Sequence, residues 1–200
     1  MTYEDIQGWF DFAEIYDRIA DEVPDNGVIV ELGVWKGKSI IYLAGALAKR
    51  GKHNVQLIGI DRFDAFGWDG YAAILQRDRI CEEKRSLIQI CQDNIRECGF
   101  EKAITIVQDD SIRAACNFSD GFVDFVFIDD FHEPEHLAKE LDAWLPKLKR
   151  PTWIAGHDYE GPIKRTVDNY FPQRTIVPCV KQKDAAVDIV TRFCWVAEVE

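Results

Sequence analysis

The feature that most constrains this chain is a repeated exchange between two hydrophobic periods. Short β-branched runs stand at 28–32, 55–60, 103–107, 123–128 and 152–156. Several are almost continuously apolar, the pattern of strands covered on both faces. Helical stripes separate them. The segment 38–50 carries Ile40, Ile41, Leu43, Ala44 and Leu47, and 78–98 carries Ile80, Leu87, Ile88, Cys91, Ile95 and Cys98 before Gly99. A third stripe at 134–149 uses Leu137, Leu141, Trp144, Leu145 and Leu148, and a leading helix is expected near 4–22 through Phe10, Ile15, Tyr16 and Ile19. Strand alternating with helix predicts an α/β fold around a doubly wound, mostly parallel sheet. After Gly161 and a short helix, the runs 175–180 and 188–197 have no helix-length segment between them. They are expected to form a C-terminal antiparallel strand pair at the sheet edge. No linker or repeat interrupts the 200 residues, so one domain is expected, with an N-terminal helix in 1–25, an α/β core in 26–171 and edge strands in 172–200.

In such a sheet, ligands bind beyond the carboxyl ends of the strands. The first strand closes on Glu31 and the second on Asp61; the third leads into Asp109, Asp110 and Ser111, the fourth into Asp129 and Asp130, and the fifth into His157 and Asp158. Helix capping accounts for two or three of these acids. It accounts poorly for five strand ends in succession.

One motif competes for attention. I-D-D-F-H-E-P-E-H, residues 128–136, contains the H-E-x-x-H of zinc peptidases. That chemistry needs both histidines on one helical face, and Pro134 opposes it. Proline suits the first turn of a helix and drives the residue before it out of helical geometry. The helix is therefore expected to start near Pro134, leaving His132 in the preceding loop. The extended pattern fails too, with Lys139 and Asp142 where glycine and histidine are required. The peptidase reading is rejected.

Charge and cysteine usage narrow the remaining classes. A net charge of −11, with Lys147, Lys149 and Arg150 as the one basic cluster, argues against direct binding to nucleic acid. No apolar run is long enough for a membrane helix, and the first residues lack a signal-peptide pattern. Six cysteines, none in a C-x-x-C pair, read as reduced, packed thiols, so a cytoplasmic location is expected.

The first loop, V-E-L-G-V-W-K-G-K-S at 30–39, is E-x-G-x-x-x-G and lacks the G-x-G-x-x-G of nicotinamide dehydrogenases. With Asp61 ending the next strand, it resembles the class I S-adenosylmethionine-dependent methyltransferases, whose sheet is Rossmann-like. The order V-F-I-D-D-F-H-E-P-E-H-L, then I-A-G-H-D-Y, then G-P-I-K-R-T-V-D-N-Y-F extends the likeness over 28–171. It is similar to small O-methyltransferases related to macrolide-sugar enzymes and, more distantly, to catechol and caffeoyl-CoA methyltransferases. The resemblance implies S-adenosylmethionine as cofactor, with Gly33 and Gly37 passing under its methionine part, Glu31 near the amino group, Asp61 on the ribose hydroxyls, and Asp110 and Ser111 edging the adenine. Tight-turn glycines and a helix-capping Ser111 are the competing readings.

The resemblance also places a divalent cation such as Mg²⁺ at Asp129, His157 and Asp158. Histidine at 157 departs from the all-oxygen pattern, which tilts the site toward a transition metal or leaves it without one. His132 matches the general base of metal-dependent relatives, with a helix cap or a substrate contact as the alternative. His136 and His53 have no comparable context and read as structural or surface residues. The aromatic stretch 62–75, with Phe66, Trp68 and Tyr71, is either a lid or rim packing, and Q-G-W-F at 7–10 is a candidate for the same wall.

The function expected is methyl transfer to a hydroxyl of a small molecule such as a sugar. A catalytically silent cofactor-binding module and a Rossmann-type oxidoreductase are the alternatives. The expected partners are a small-molecule substrate and, as an open alternative, a second copy of the chain. Direct nucleic-acid and membrane contacts are not expected.

Overall fold

In the computed structural model, residues 1–64, 86–179 and 192–200 are described. The lid stretch from 65 onward, the start of the 78–98 stripe and the run 188–191 lie outside them. Seven strands form one sheet: β1 (Val28–Leu32), β2 (Gln56–Asp61), β3 (Ile104–Gln108), β4 (Phe125–Ile128), β5 (Thr152–Gly156), β6 (Arg174–Pro178) and β7 (Phe193–Val199). Their order is β3-β2-β1-β4-β5-β7-β6. The first five are parallel, and β7 runs antiparallel to β5 on one side and to β6 on the other. The expected doubly wound sheet with an antiparallel C-terminal pair is what forms.

Every residue of β1 and β4 is buried, because helices cover both faces. Helices α1 (Ala13–Glu22), α2 (Lys38–Lys49) and α3 (Leu87–Glu97) pack with Ile29, Phe125 and Phe127 on one face. Helices α4 (Ser111–Ala114), α5 (Pro134–Trp144) and α6 (Gly161–Tyr170) pack with Val28, Val30, Leu32, Val126 and Ile128 on the other. The period of two along a strand thus sorts neighbours to opposite faces.

Two expected helices are shorter than their apolar stripes. The N-terminal one is reduced to α1, preceded by a single 3₁₀ turn at Tyr3–Asp5. Between them the chain is irregular, with Gly8 at φ +150°. This course lets Ile6, Phe10 and Phe12 all be buried, with the Phe10 ring against Tyr3, Phe12, Tyr16 and Tyr42. Helix α5 ends at Trp144 and tightens into a 3₁₀ turn at Leu145–Lys147, because Pro146 has no N–H to continue the ladder. Its start is at Pro134, with Glu133 as N-cap, so His132 lies in the loop as the proline predicts. Among the described residues, no helix is long and apolar enough to cross a membrane.

Candidate functional site

The carboxyl ends of β1, β2, β4 and β5 open into a cleft of about 890 Å³, the size of a small-molecule or cofactor site. Its floor is the loop from β1 to α2. Gly33 there has φ +83°, and a Cβ on it would stand 2.0 Å from the Asp129 carbonyl oxygen. Glycine is therefore demanded by the close approach of two backbones, before any ligand is considered. Gly37, at φ +86°, is the N-cap of α2, and its N–H donates to the Val34 carbonyl oxygen to close the turn.

Asp61 holds that loop. Its Oδ2 accepts the backbone N–H groups of Val34 and Trp35, at 2.9 and 2.8 Å, and its Oδ1 accepts Phe63 N–H at 2.7 Å. Burial raises its carboxyl, and these three donors pull it back in part. The contacts occupy three of the roughly four acceptor directions of a carboxylate, so a ribose hydroxyl would have to share Oδ1. Glu31 is 1% exposed and accepts from the Ser39 hydroxyl at the start of α2, but its Oε2 has no hydrogen-bond partner. Burial pushes its carboxyl up to about 8, opposed by Ser39 and by Tyr16, whose hydroxyl lies near it outside good bonding geometry. A buried acid with one unmet oxygen beside a glycine loop suits a cationic amino group.

The two residues expected at the adenine edge have different settings. Asp110 is the N-cap of α4, its Oδ1 accepting Ile112 and Arg113 N–H at 3.1 and 3.0 Å. It borders a shallow pocket with Arg62, Asp64 and Arg113. Ser111 is a correction: at 1% exposure its side chain does not edge the cleft. As the first residue of α4 it turns inward, and its Oγ lies 3.2 Å from His136 Nε2.

Beyond β4 and β5 the expected residues converge. Asp129, His157 and Asp158 bring one donor atom each within 4.8 Å of one another. His157 Nδ1 is 3.0 Å from Asp158 Oδ2 and 3.6 Å from Asp129 Oδ1. Its Nε2 is 2.9 Å from Asp11 Oδ1, a residue of the N-terminal segment that no sequence pattern marks. Burial alone would discharge His157, but the carboxylates of Asp129, Asp11 and Asp158 outweigh it and hold the ring cationic. Burial raises Asp129 to about 7 despite that cation. His132 is 58% exposed, its Nε2 bonded to Asp158 Oδ2 and 3.9 Å from Asp129 Oδ1. Desolvation would lower its pKa, yet the Asp158 contact carries it above the ordinary value. The donor set suits a divalent cation in kind, with hard carboxylates beside an imidazole, provided His157 gives up its Nδ1 proton together with the Asp158 contact that proton makes.

A second group lies on the opposite face of the same loop. Asp130, His136 and the fully buried Glu140 bring donor atoms within 4.8 Å of one another. His136, expected to be a structural or surface residue, is thus a partly buried one with two acidic neighbours that the sequence reading did not bring together with it. The signal was present in its spacing, since His136 and Glu140 stand four apart on one helix face.

A family model described as a methyltransferase domain matches residues 30–159. No curated protein sequence matches the chain. Among solved structures, an S-adenosylmethionine-dependent O-methyltransferase from Thermotoga maritima superposes with a TM-score of 0.61 at 15% identity, covering 96% of this chain and 67% of that one. An rRNA methylase from Streptococcus thermophilus gives 0.60 at 12%, covering 98% and 100%. An RNA methyltransferase from Salinibacter ruber, in complex with S-adenosyl-L-homocysteine, gives 0.56 at 16%, covering 97% and 94%. At these identities the structures speak for the fold, and the family match carries the assignment: this chain belongs to the methyltransferase-domain family, with the Rossmann-like fold of the class I S-adenosylmethionine-dependent methyltransferases.

Proposed function

We propose that the protein transfers the methyl group of S-adenosylmethionine to a hydroxyl of a small molecule, such as a sugar or sugar-bearing metabolite, with His132 as general base. The observation that carries this reading is His132 itself. It is exposed to the cleft directly after β4 and anchored through Nε2 to Asp158. That anchor favours the tautomer with its proton on Nε2 and leaves the Nδ1 lone pair for the acceptor hydroxyl. Asp158 is in turn held by cationic His157, so the base sits at the end of a three-residue chain.

The cofactor supplies an electrophilic methyl group on a sulfonium. His132 takes the hydroxyl proton at Nδ1 as the oxygen–carbon bond forms and the carbon–sulfur bond breaks. The positive charge leaves sulfur and ends on the imidazolium, beside Asp158. The floor at Gly33 and the loop tied by Asp61 orient the reacting groups in line. A divalent ion at Asp129, His157 and Asp158, if bound, would supply further acidification of the acceptor hydroxyl.

A small acceptor rather than nucleic acid fits the net charge of −11 and a cleft whose carboxylates, Asp64, Asp129, Asp130 and Glu133 among them, outnumber its bases Lys36, Lys38, Arg62 and Arg192. The test combines isothermal titration with S-adenosylhomocysteine and NAD, and a screen of labelled methyl transfer onto metabolite extracts. His132→Ala should lower turnover by about 10²–10⁴-fold while leaving S-adenosylhomocysteine affinity nearly unchanged. Unimpaired turnover would remove His132 as base, and tighter binding of NAD would remove the methyltransferase reading.

A further inference from the structure

The geometry points to a second metal site, formed by Asp130, His136 and Glu140, that takes a borderline divalent ion such as Zn²⁺ in a tetrahedral arrangement. It is separate from the donor set at Asp129, His157 and Asp158 and independent of the acceptor chemistry.

Three observations carry it. The first is spacing. His136 Nε2 stands 3.6 Å from Asp130 Oδ2 and 3.5 Å from Glu140 Oε1. Both exceed the 2.7–3.2 Å of an N–H···O hydrogen bond. Ligands about 2.1 Å from a tetrahedral ion, by contrast, lie about 3.4 Å from each other, which is the separation seen. The opposite cluster differs in that His157, although 3.6 Å from Asp129, also meets Asp158 and Asp11 at 3.0 and 2.9 Å, as a hydrogen-bonded imidazolium does.

The second is an unmet need. Glu140 is 0% exposed, and neither of its carboxylate oxygens has a hydrogen-bond partner. Burial raises the Glu140 carboxyl to about 7, because a carboxylate so placed is unfavourable unless a cation or donor satisfies it. One imidazole nitrogen facing Ser111, Asp130 and Glu140 together has at most one proton to share among them.

The third is construction. His136 and Glu140 lie one turn apart on α5, so one rigid element presents two of the ligands, and Asp130 follows two residues after the end of β4. Asp130 and His136 line the cleft, which gives an ion an entry path. Two carboxylates with one imidazole suit zinc better than an oxygen-only ion such as Mg²⁺.

The experiment uses the full chain, freed of metal by chelator and titrated with Co²⁺ as a visible reporter. The wild type should bind with the intense d–d absorption of tetrahedral cobalt and no thiolate charge-transfer band. Glu140→Gln, close in shape, should lose that absorption or weaken binding at least 10-fold. Asp130→Asn, at the cleft surface and far less able to disturb the core, should do the same. Asp158→Asn should retain the band. No tetrahedral band in the wild type overturns the inference. So does a band that survives Glu140→Gln and Asp130→Asn, one lost in Asp158→Asn, or a thiolate band, which would place the ion at Cys179 and Cys194 beside His157.

Discussion

Asp129 and Asp130 are adjacent in the chain, yet they head two clusters of opposite character. Asp129 joins His132, His157, Asp158 and Asp11, where His157 meets Asp158 and Asp11 at 3.0 and 2.9 Å while Asp129 itself stands 3.6 Å from that ring. Asp130 faces α4 and α5 and joins His136, Glu140 and Ser111, where one imidazole is shared among acceptors mostly too distant to bond it. The difference arises just past the end of β4, where the chain leaves the strand and turns the two consecutive side chains to opposite sides of the loop. It teaches that a pair of neighbouring acids in sequence need not serve one site. The first cluster reaches the cleft through the exposed His132, whereas in the second a single imidazole, raised to about 10 by Asp130 and Glu140, serves two acids.

The comparison can be broken at the peptide the two clusters share. Gly33→Ala would drive a methyl group into the Asp129 carbonyl and against the Asp130 Cα, at 2.0 and 2.8 Å. Left-handed strain and overpacking together predict a loss of about 4 kcal/mol, measurable by urea denaturation, with both clusters displaced. Stability within 1 kcal/mol of wild type, on the order of a benign substitution, would show that this loop does not clamp them.

A carboxylate with no imidazole at all sharpens the contrast. Burial raises Glu31 to about 8, well above its unfolded value. The native state then holds a proton that the unfolded chain has lost, so stability falls as pH rises from about 4.5 to about 8. Glu31→Gln removes this dependence. Its stability relative to wild type should rise by roughly 2 kcal/mol between pH 5 and pH 7 in thermal or urea melts. A pH-independent difference would mean that Glu31 is already ionised in the folded protein.

The smallest effect separates the clusters by themselves. Ser111→Ala removes a 3.2 Å contact to His136 and nothing from His132. It should cost about 1 kcal/mol of stability and leave methyl transfer within about twofold of wild type. A large fall in turnover would show that the two clusters communicate.

Most of the fold was legible in the chain. The runs at 28–32 and 152–156 coincide with β1 and β5, because continuous β-branched segments have few ways to be buried except as inner strands. Pro134 marked the start of α5, since proline's missing N–H and fixed φ act locally. Local stereochemistry also placed His132 in a loop and dismissed the H-E-x-x-H match. The leading helix failed for the opposite reason: its apolar spacing did satisfy a helix, but burying Ile6, Phe10 and Phe12 together favoured an irregular path.

The site divided along the same line. The sequence by itself determined which acids and histidines end the strands, because strand ends are set by local patterning, and it placed Asp129, His132, His157 and Asp158 on one rim. Only the tertiary structure decided their company. Asp11 reaches His157 from 146 positions away, Ser111 turns from the cleft into the interior, and His136 finds Asp130 and a buried Glu140. Those outcomes depend on which face a side chain takes and which element packs above it, and long-range packing settles both.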